Sequence, residues 1–213
     1  MHRDDDQAEL ELFFDCASPW SYIGLVMARV LANRSGARLR LRPVVVGGVF
    51  RIANPNYAER RATTPPAKSA YLIKDLADWS AFAGLRLVFP PPVFPVNSVM
   101  AMRACLAADT LGFGETVALS LFKAYFDDGV DLGDATALAA VLSSHDEGGR
   151  LSALSIRPDT KARLIANADE LAARGGFGVP TSFIDQDMYF GADRLWLAEA
   201  ALRRKSIPAE PHG

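Results

Sequence analysis

Ser18-Pro19-Trp20-Ser21 stand where an apolar strand pattern, Phe13-Phe14, runs into the start of a helix. Ser18 suits the N-cap position, and Pro19 suits the first helical position. A hydroxyl at such a junction meets unpaired backbone N–H groups and the positive end of the helix dipole. That setting stabilises an anion such as a thiolate. The positions hold serine rather than cysteine, so the thiol has to be brought in from outside the chain. Two cysteines are present, far apart in sequence. Cys105 lies in an apolar helical pattern with Met100, Met102 and Leu106 and reads as core. Cys16, two residues before Ser18, reads as a buried loop thiol, the alternative being a thiol that lines the site. A disulfide between them is not expected. The three histidines exclude more than they suggest. His2 and His212 are in the terminal tails and His145 is in a Gly-rich loop, so none is placed as a general base or metal ligand. Ser-His-Asp hydrolysis and a zinc or iron site are poorly supported.

The elements around Ser18 can be read from periodicity. Residues 9–15 read as a strand. Residues 19–34 carry Trp20, Ile23, Gly24, Met27, Val30 and Leu31 at helical spacing, closed by Ser35-Gly36. Residues 37–46 read as a second strand, in which Leu39 and Leu41 alternate with Arg38, Arg40 and Arg42 before Val44-Val45-Val46. Strand, helix and strand at this spacing predict a parallel βαβ unit. Gly47-Gly48 then break the pattern. Between about 50 and 174 the chain reads as helical, at 67–83, 97–111, 114–127, 134–144 and 158–174, with one short strand at 85–89. Pro90-Pro91-Pro92 and Pro95 form an extended connector. Strands return at 181–185 and 188–190 around a Gln186-Asp187 turn, and a last helix covers about 193–204. No internal repeat is present.

Composition narrows the function classes. The chain has 213 residues, half of them hydrophobic, and a net charge of −2, which allows one large domain or one with a sizeable insertion. Nothing in that charge recommends nucleic acid or an anionic membrane. No run reaches the about 18 apolar residues that cross a bilayer. Met1 to Asp6 is acidic, lacks the apolar stretch of a signal peptide and reads as a disordered lead-in, so the cytoplasm is the expected compartment.

The order βαβ, helical block, ββα is that of an α/β thioredoxin-like fold interrupted by an all-helical insertion. The reading assigns residues 1–46 and 176–213 to a discontinuous thioredoxin-like domain and 47–175 to the insertion. Thioredoxin-type redox enzymes place Cys-Pro-x-Cys at this junction, and glutathione is the obvious external thiol where both cysteines are replaced.

The residues then carry a more specific resemblance. Asp15-Cys16-Ala17-Ser18-Pro19-Trp20-Ser21-Tyr22 resembles the Asp-x-x-Ser-Pro-x-Ser-Tyr signature of 2-hydroxychromene-2-carboxylate isomerases, which group with kappa-class glutathione transferases. The likeness recurs in Arg42-Pro43 through Gly47-Gly48-Val49-Phe50, in Pro66 to Tyr71 with Lys74-Asp75-Leu76, and in Phe94 to Ser98. It ends in Gly178-Val179-Pro180-Thr181 and Gly191 to Leu195. Each motif is weak alone, and their joint order is specific.

The resemblance implies glutathione as cofactor, a small aromatic substrate and a homodimer. Ser18 would hold the thiolate by its hydroxyl, where an ordinary helix cap is the competing role. Val179, before an expected cis Pro180, would pair by backbone with the cysteinyl part of glutathione. Asp193 would bind the γ-glutamyl ammonium, with Ala192 beside it, and Arg194 reads as a surface ion pair. Lys68 and Asn97 would face the cleft and meet carboxylates, although Asn97 equally suits a helix cap. Pro19, Trp20, Phe50 and Tyr71 would line the substrate pocket, and Trp79 is better suited to the core. The implied reaction adds a thiolate to a conjugated α-keto acid, lets the former double bond rotate, and eliminates the thiol unchanged.

Three rivals share parts of this pattern. A dithiol oxidoreductase lacks its two sulfurs here. A redox-inactive thioredoxin-like binding module would leave Ser18 dispensable. A kappa-class-like transferase or peroxidase would share the thiol site and differ in the second pocket. The basic stretch Arg60-Arg61-Ala62-Thr63-Thr64 departs from the isomerase pattern beside that pocket.

Overall fold

The computed structural model describes residues 7–205. The acidic lead-in with His2, and the tail with His212, lie outside the described residues.

β1 (Glu9–Phe14), α1 (Pro19–Ser35) and β2 (Arg38–Pro43) form the βαβ unit. β1 and β2 are parallel, with Leu10 opposite Leu39 and Phe13 opposite Arg42. Helix α1 stops at Gly36, whose φ of 64° turns its N–H back onto the last turn. β3 (Thr181–Ile184) and β4 (Asp187–Phe190) make an antiparallel hairpin, and β3 runs antiparallel to β1. The sheet order is β2-β1-β3-β4. Central β1 therefore points its C-terminal end, and the Ser18 loop that follows, at one rim of the sheet.

Alternation along β1 divides the core. Leu10, Leu12 and Phe14 enter the main cluster, whereas Phe13 joins Val44, Leu171, Val179 and Phe183 on the opposite face. Both faces are covered, which is why β3 is buried at every residue. Between β2 and β3 the chain forms α2 (Val46–Ala53), α3 (Tyr57–Ala62), α4 (Pro66–Phe82), α5 (Val99–Thr110) and α6 (Gly114–Phe126). α7 (Ala135–Leu142), α8 (Arg150–Ser155) and α9 (Pro158–Ala173) complete that segment, and α10 (Leu195–Lys205) follows the hairpin. The main cluster joins β1 to Tyr22 and Leu25 of α1, Met102 and Cys105 of α5, Phe122 and Phe126 of α6 and Ala198 of α10. Tyr22 stacks on Phe122 with ring centroids 5.0 Å apart, pinning α1 to α6.

Several boundaries differ from the sequence reading. The second strand stops at Pro43, and Val46-Gly47-Gly48 open α2 instead of breaking the chain. The Val46 N–H donates to Asp15 Oδ2 at 2.8 Å, so a carboxylate from another segment caps a helix that two glycines disfavour. Residues 85–89 are not a strand, for Val88 bonds the carbonyl of Phe126 and among the described residues no neighbouring strand lies there to pair with. The hairpin turn is Asp185-Gln186, one residue earlier than expected, with Asp185 at φ 52°, a region Asp tolerates. Val179–Pro180 is cis, as expected, and so are Phe89–Pro90 and Phe94–Pro95. Helices α3 and α8 are short pieces without a full period to betray them.

Candidate active site

Ser18 caps α1 with extended backbone, φ −103° and ψ 117°. Its Oγ accepts from the Ser21 N–H at 3.2 Å, which leaves the hydroxyl proton free to be donated. Its carbonyl accepts from Ser21 and Tyr22. Pro19 has no N–H, and among the described residues no acceptor takes the Trp20 N–H. One hydroxyl and one amide therefore point out of the helix start, and no acidic side chain occupies the first turn to compete with an anion.

The cis-proline loop lies against the same helix. A Cβ on Gly24 would fall 2.9 Å from Pro180 Cγ, so only glycine lets α1 and the loop approach this closely. Pro180 O accepts from the Gly191 N–H at 2.9 Å, and Thr181 Oγ1 donates to Gly178 O at 2.8 Å. Val179 sits between these anchors, and among the described residues nothing pairs with its N–H or C=O. A backbone edge held rigid yet unpaired is a place for a ligand or water to bind.

An aromatic group borders the loop. Phe50 of α2 stacks on Tyr57 of α3 at 3.8 Å, and Phe177 meets Phe190 of β4 at 4.4 Å. One ring of each pair reaches Gly178, where a Cβ would touch the Phe190 ring at 3.0 Å and Phe50 at 3.8 Å. Of these four, the sequence reading singled out Phe50 alone. The others are missed because their meeting depends on α2 and β4 being brought to one residue.

Other expected residues are placed less centrally. Pro19 is buried, and Ala192 is 1% exposed in a cluster with Ile23 and Leu76, so Ala192 can offer a ligand only its backbone. Trp20 and Trp79 pack against that cluster. Asp193 is exposed in a 3-10 turn and pairs with Arg194. Asn97 accepts from the Val99 N–H at 3.2 Å, the cap-like alternative, and it adjoins Ser98. Lys68 and Tyr71 lie on the exposed first half of α4, whereas α4 approaches α1 through Leu76 and Trp79. The structure therefore brings Pro180 and Ala192 against Gly24 of α1, the helix that Ser18 caps, whereas Lys68 and Tyr71 are exposed on α4.

Buried groups lie beneath the Ser18 rim. Asp15 is 1% exposed, and its Oδ1 accepts from the Ala17 N–H at 3.0 Å. Burial raises its pKa, opposed by hydrogen bonds from Ala17, Val46 and Ser98. Cys16 is fully buried, so it does not line the site, and burial, followed by the nearby Asp15, pushes its thiol well up. Cys105 is buried as expected, and both thiols are free. His145 Nε2 lies 2.9 Å from Ser120 Oγ, but that hydroxyl spends its proton on Thr116 O. A crevice of about 270 Å³ between α1, α4 and α10 and another of about 390 Å³ around His145 both lie away from Ser18.

Comparison with known proteins agrees with this geometry. The chain is 27% identical over 198 residues to a 2-hydroxychromene-2-carboxylate isomerase of Sphingobium xenophagum, covering 91% of this chain and 97% of the relative. It is 24% identical over 219 residues to glutathione S-transferase kappa 1 of Rattus norvegicus, covering 95% and 94%. A solved 2-hydroxychromene-2-carboxylate isomerase superposes with a TM-score of 0.76 at 24% identity, covering 92% of this chain and 95% of the other. A sheet interrupted by helices, a serine at the start of α1 and a cis-proline loop beside it are joined by a family profile that matches residues 9–203, and the chain belongs to the DSBA-like thioredoxin domain family.

Proposed function

We propose that this protein is a glutathione-dependent isomerase acting on 2-hydroxychromene-2-carboxylate or a related aromatic α-keto acid. The observation that carries the reading is the pairing of a free Ser18 hydroxyl at the start of α1 with the unpaired Val179 backbone of the loop packed on the same helix. The residues fit glutathione: Val179 offers a donor and an acceptor to a peptide, and Asp193 offers a carboxylate to an ammonium group. When bound, glutathione would supply a sulfur nucleophile that adds reversibly to a conjugated double bond, which can rotate while single.

The chain's own part is electrostatic. Ser18 Oγ–H and the Trp20 N–H would donate to the sulfur and lower its pKa without a histidine. The α1 dipole adds to both. The stacked rings of Phe50 and Tyr57, with Phe177 and Phe190 beside Gly178, offer an apolar wall to an aromatic substrate. A homodimer and a cytoplasmic location complete the proposal. Transferase activity of the kappa type is the second reading, favoured by the relatives that carry that name.

Calorimetric titration of glutathione tests both. Binding should release a proton near neutral pH, and Ser18→Ala should raise the bound thiol pKa and lower kcat by about 100-fold. Absence of binding at roughly millimolar glutathione, a free energy weaker than about 4 kcal/mol, would remove both readings.

A further inference from the structure

Asp15 is a buried acid that the proposed chemistry does not use, and each of its polar atoms is engaged. Its N–H donates to Ser21 Oγ at 3.4 Å, and its C=O accepts from the Ser18 N–H at 3.0 Å. Oδ1 accepts from Ala17 at 3.0 Å, and Oδ2 accepts from Val46 at 2.8 Å. Ser98, buried at 3% exposure just before α5, also hydrogen-bonds the carboxylate. The Ser18 loop, α2 and the residue ahead of α5 thus meet at one side chain, and α1 meets the backbone of the same residue. Cys16 of the same loop, Cys105 of α5 and Tyr125 of α6 are the titratable groups around it. Burial pushes all three up, with Tyr125 at about 12, so they are neutral near pH 7.

α2 needs this contact. Its N-cap, Val45, supplies no side-chain hydrogen bond, and Gly47 and Gly48 occupy its first turn. The same helix carries Phe50, which stacks on Tyr57 and borders Gly178. A carboxylate accepts at both oxygens, whereas an amide accepts at one and donates at the other.

We propose that Asp15 is a positioning residue whose carboxylate caps α2 across 31 positions of sequence and so sets the aromatic wall against the Ser18 site. Its consequence for turnover rests on the glutathione reading given above. The same bond can be cut from either end. Asp15→Asn keeps the volume and turns an N–H against either Ala17 or Val46. Val46→Pro removes the donor at the first helical position, where proline is tolerated. Val45, at φ −100° and ψ 111°, already has the extended backbone that precedes a proline.

Amide exchange, glutathione titration and turnover of 2-hydroxychromene-2-carboxylate would be measured on both variants and their combination. In each, the Gly48 to Phe50 amides should exchange faster by about tenfold or more. Glutathione affinity should stay within about threefold of wild type, while kcat/KM falls by about fivefold or more through KM. The double variant should be no worse than Asp15→Asn, because both changes remove one bond. Protected α2 amides in Asp15→Asn, or losses that multiply in the double variant, would overturn the proposal. If the wild type binds no glutathione, the functional reading fails, and exchange in the three variants still decides whether Asp15 holds α2.

Discussion

Two polar clusters lie near the C-terminal end of β1, around Arg42 and around Ser18, and they differ in what they leave unpaired. Every donor nitrogen of Arg42 itself is taken. Nε and Nη2 donate to Asn167 at 3.2 and 3.0 Å, Nη1 donates to Glu11 at 2.5 Å, and Nη2 also meets Glu170. Asn167 passes the chain on to Pro43 O at 2.8 Å, and Arg42 lies 4.8 Å from the Phe13 ring centroid. That cluster docks α9 on the sheet. At the Ser18 rim, by contrast, a hydroxyl proton, the Trp20 N–H and both backbone groups of Val179 have no partner among the described residues. Arg42 carries a full charge, yet all of its donors are spent within the protein. Spare hydrogen-bonding capacity on a rigid frame marks a binding site better than polarity does.

The largest expected effect breaks the closed cluster. Arg42→Ala should cost about 3–5 kcal/mol by urea unfolding, because the largely buried Glu11 and Asn167 lose their shared partner. Glutathione affinity of the remaining folded protein should be unchanged, and a loss there would show that the clusters are coupled. Gly24→Ala attacks the open rim. The new methyl meets a proline ring at 2.9 Å, so stability should fall by about 1–3 kcal/mol despite better helix propensity. Here glutathione binding should weaken as well, which titration would read directly.

The smallest effect sharpens the electrostatic side. The Arg42 hydrogen bond, against some desolvation, holds the Glu170 carboxyl below its usual 4.5. A depressed carboxyl stabilises the fold above its unfolded pKa, and that stability is lost as pH falls through the folded value. Glu170 is 42% exposed at its side chain, so screening leaves about 0.5–1 kcal/mol. Glu170→Gln should differ from wild type by that amount near neutral pH, and the gap should close in acid unfolding series. A gap that persists in acid would assign the effect to packing.

Much of the fold was legible because local signals agreed with the global one. Ser18 with Pro19 marks the start of α1, Gly36 marks its end, and a period-2 run marks β2. The failures occur where a distant group overrides local preference. Gly47-Gly48 read as a break because nothing near them in sequence caps a helix, and the cap is Asp15. Leu85 to Phe89 read as a strand because apolar alternation does not reveal whether a pairing partner exists. Lys68 and Tyr71 came from motif resemblance, which fixes residue type but not the tilt of α4 that leaves them on open surface.

By itself the sequence determined the parallel βαβ unit, the helical segment, the serine at a helix start and the proline before β3. Those depend on capping, periodicity and turn chemistry within a few residues. Tertiary structure alone decided that Pro180 rests on Gly24, that Phe50 and Phe190 meet at Gly178, and that Asp15 joins four segments. These contacts link residues dozens to more than a hundred positions apart. Their geometry follows from packing α1, α2 and the hairpin around one buried sheet, which no local pattern encodes.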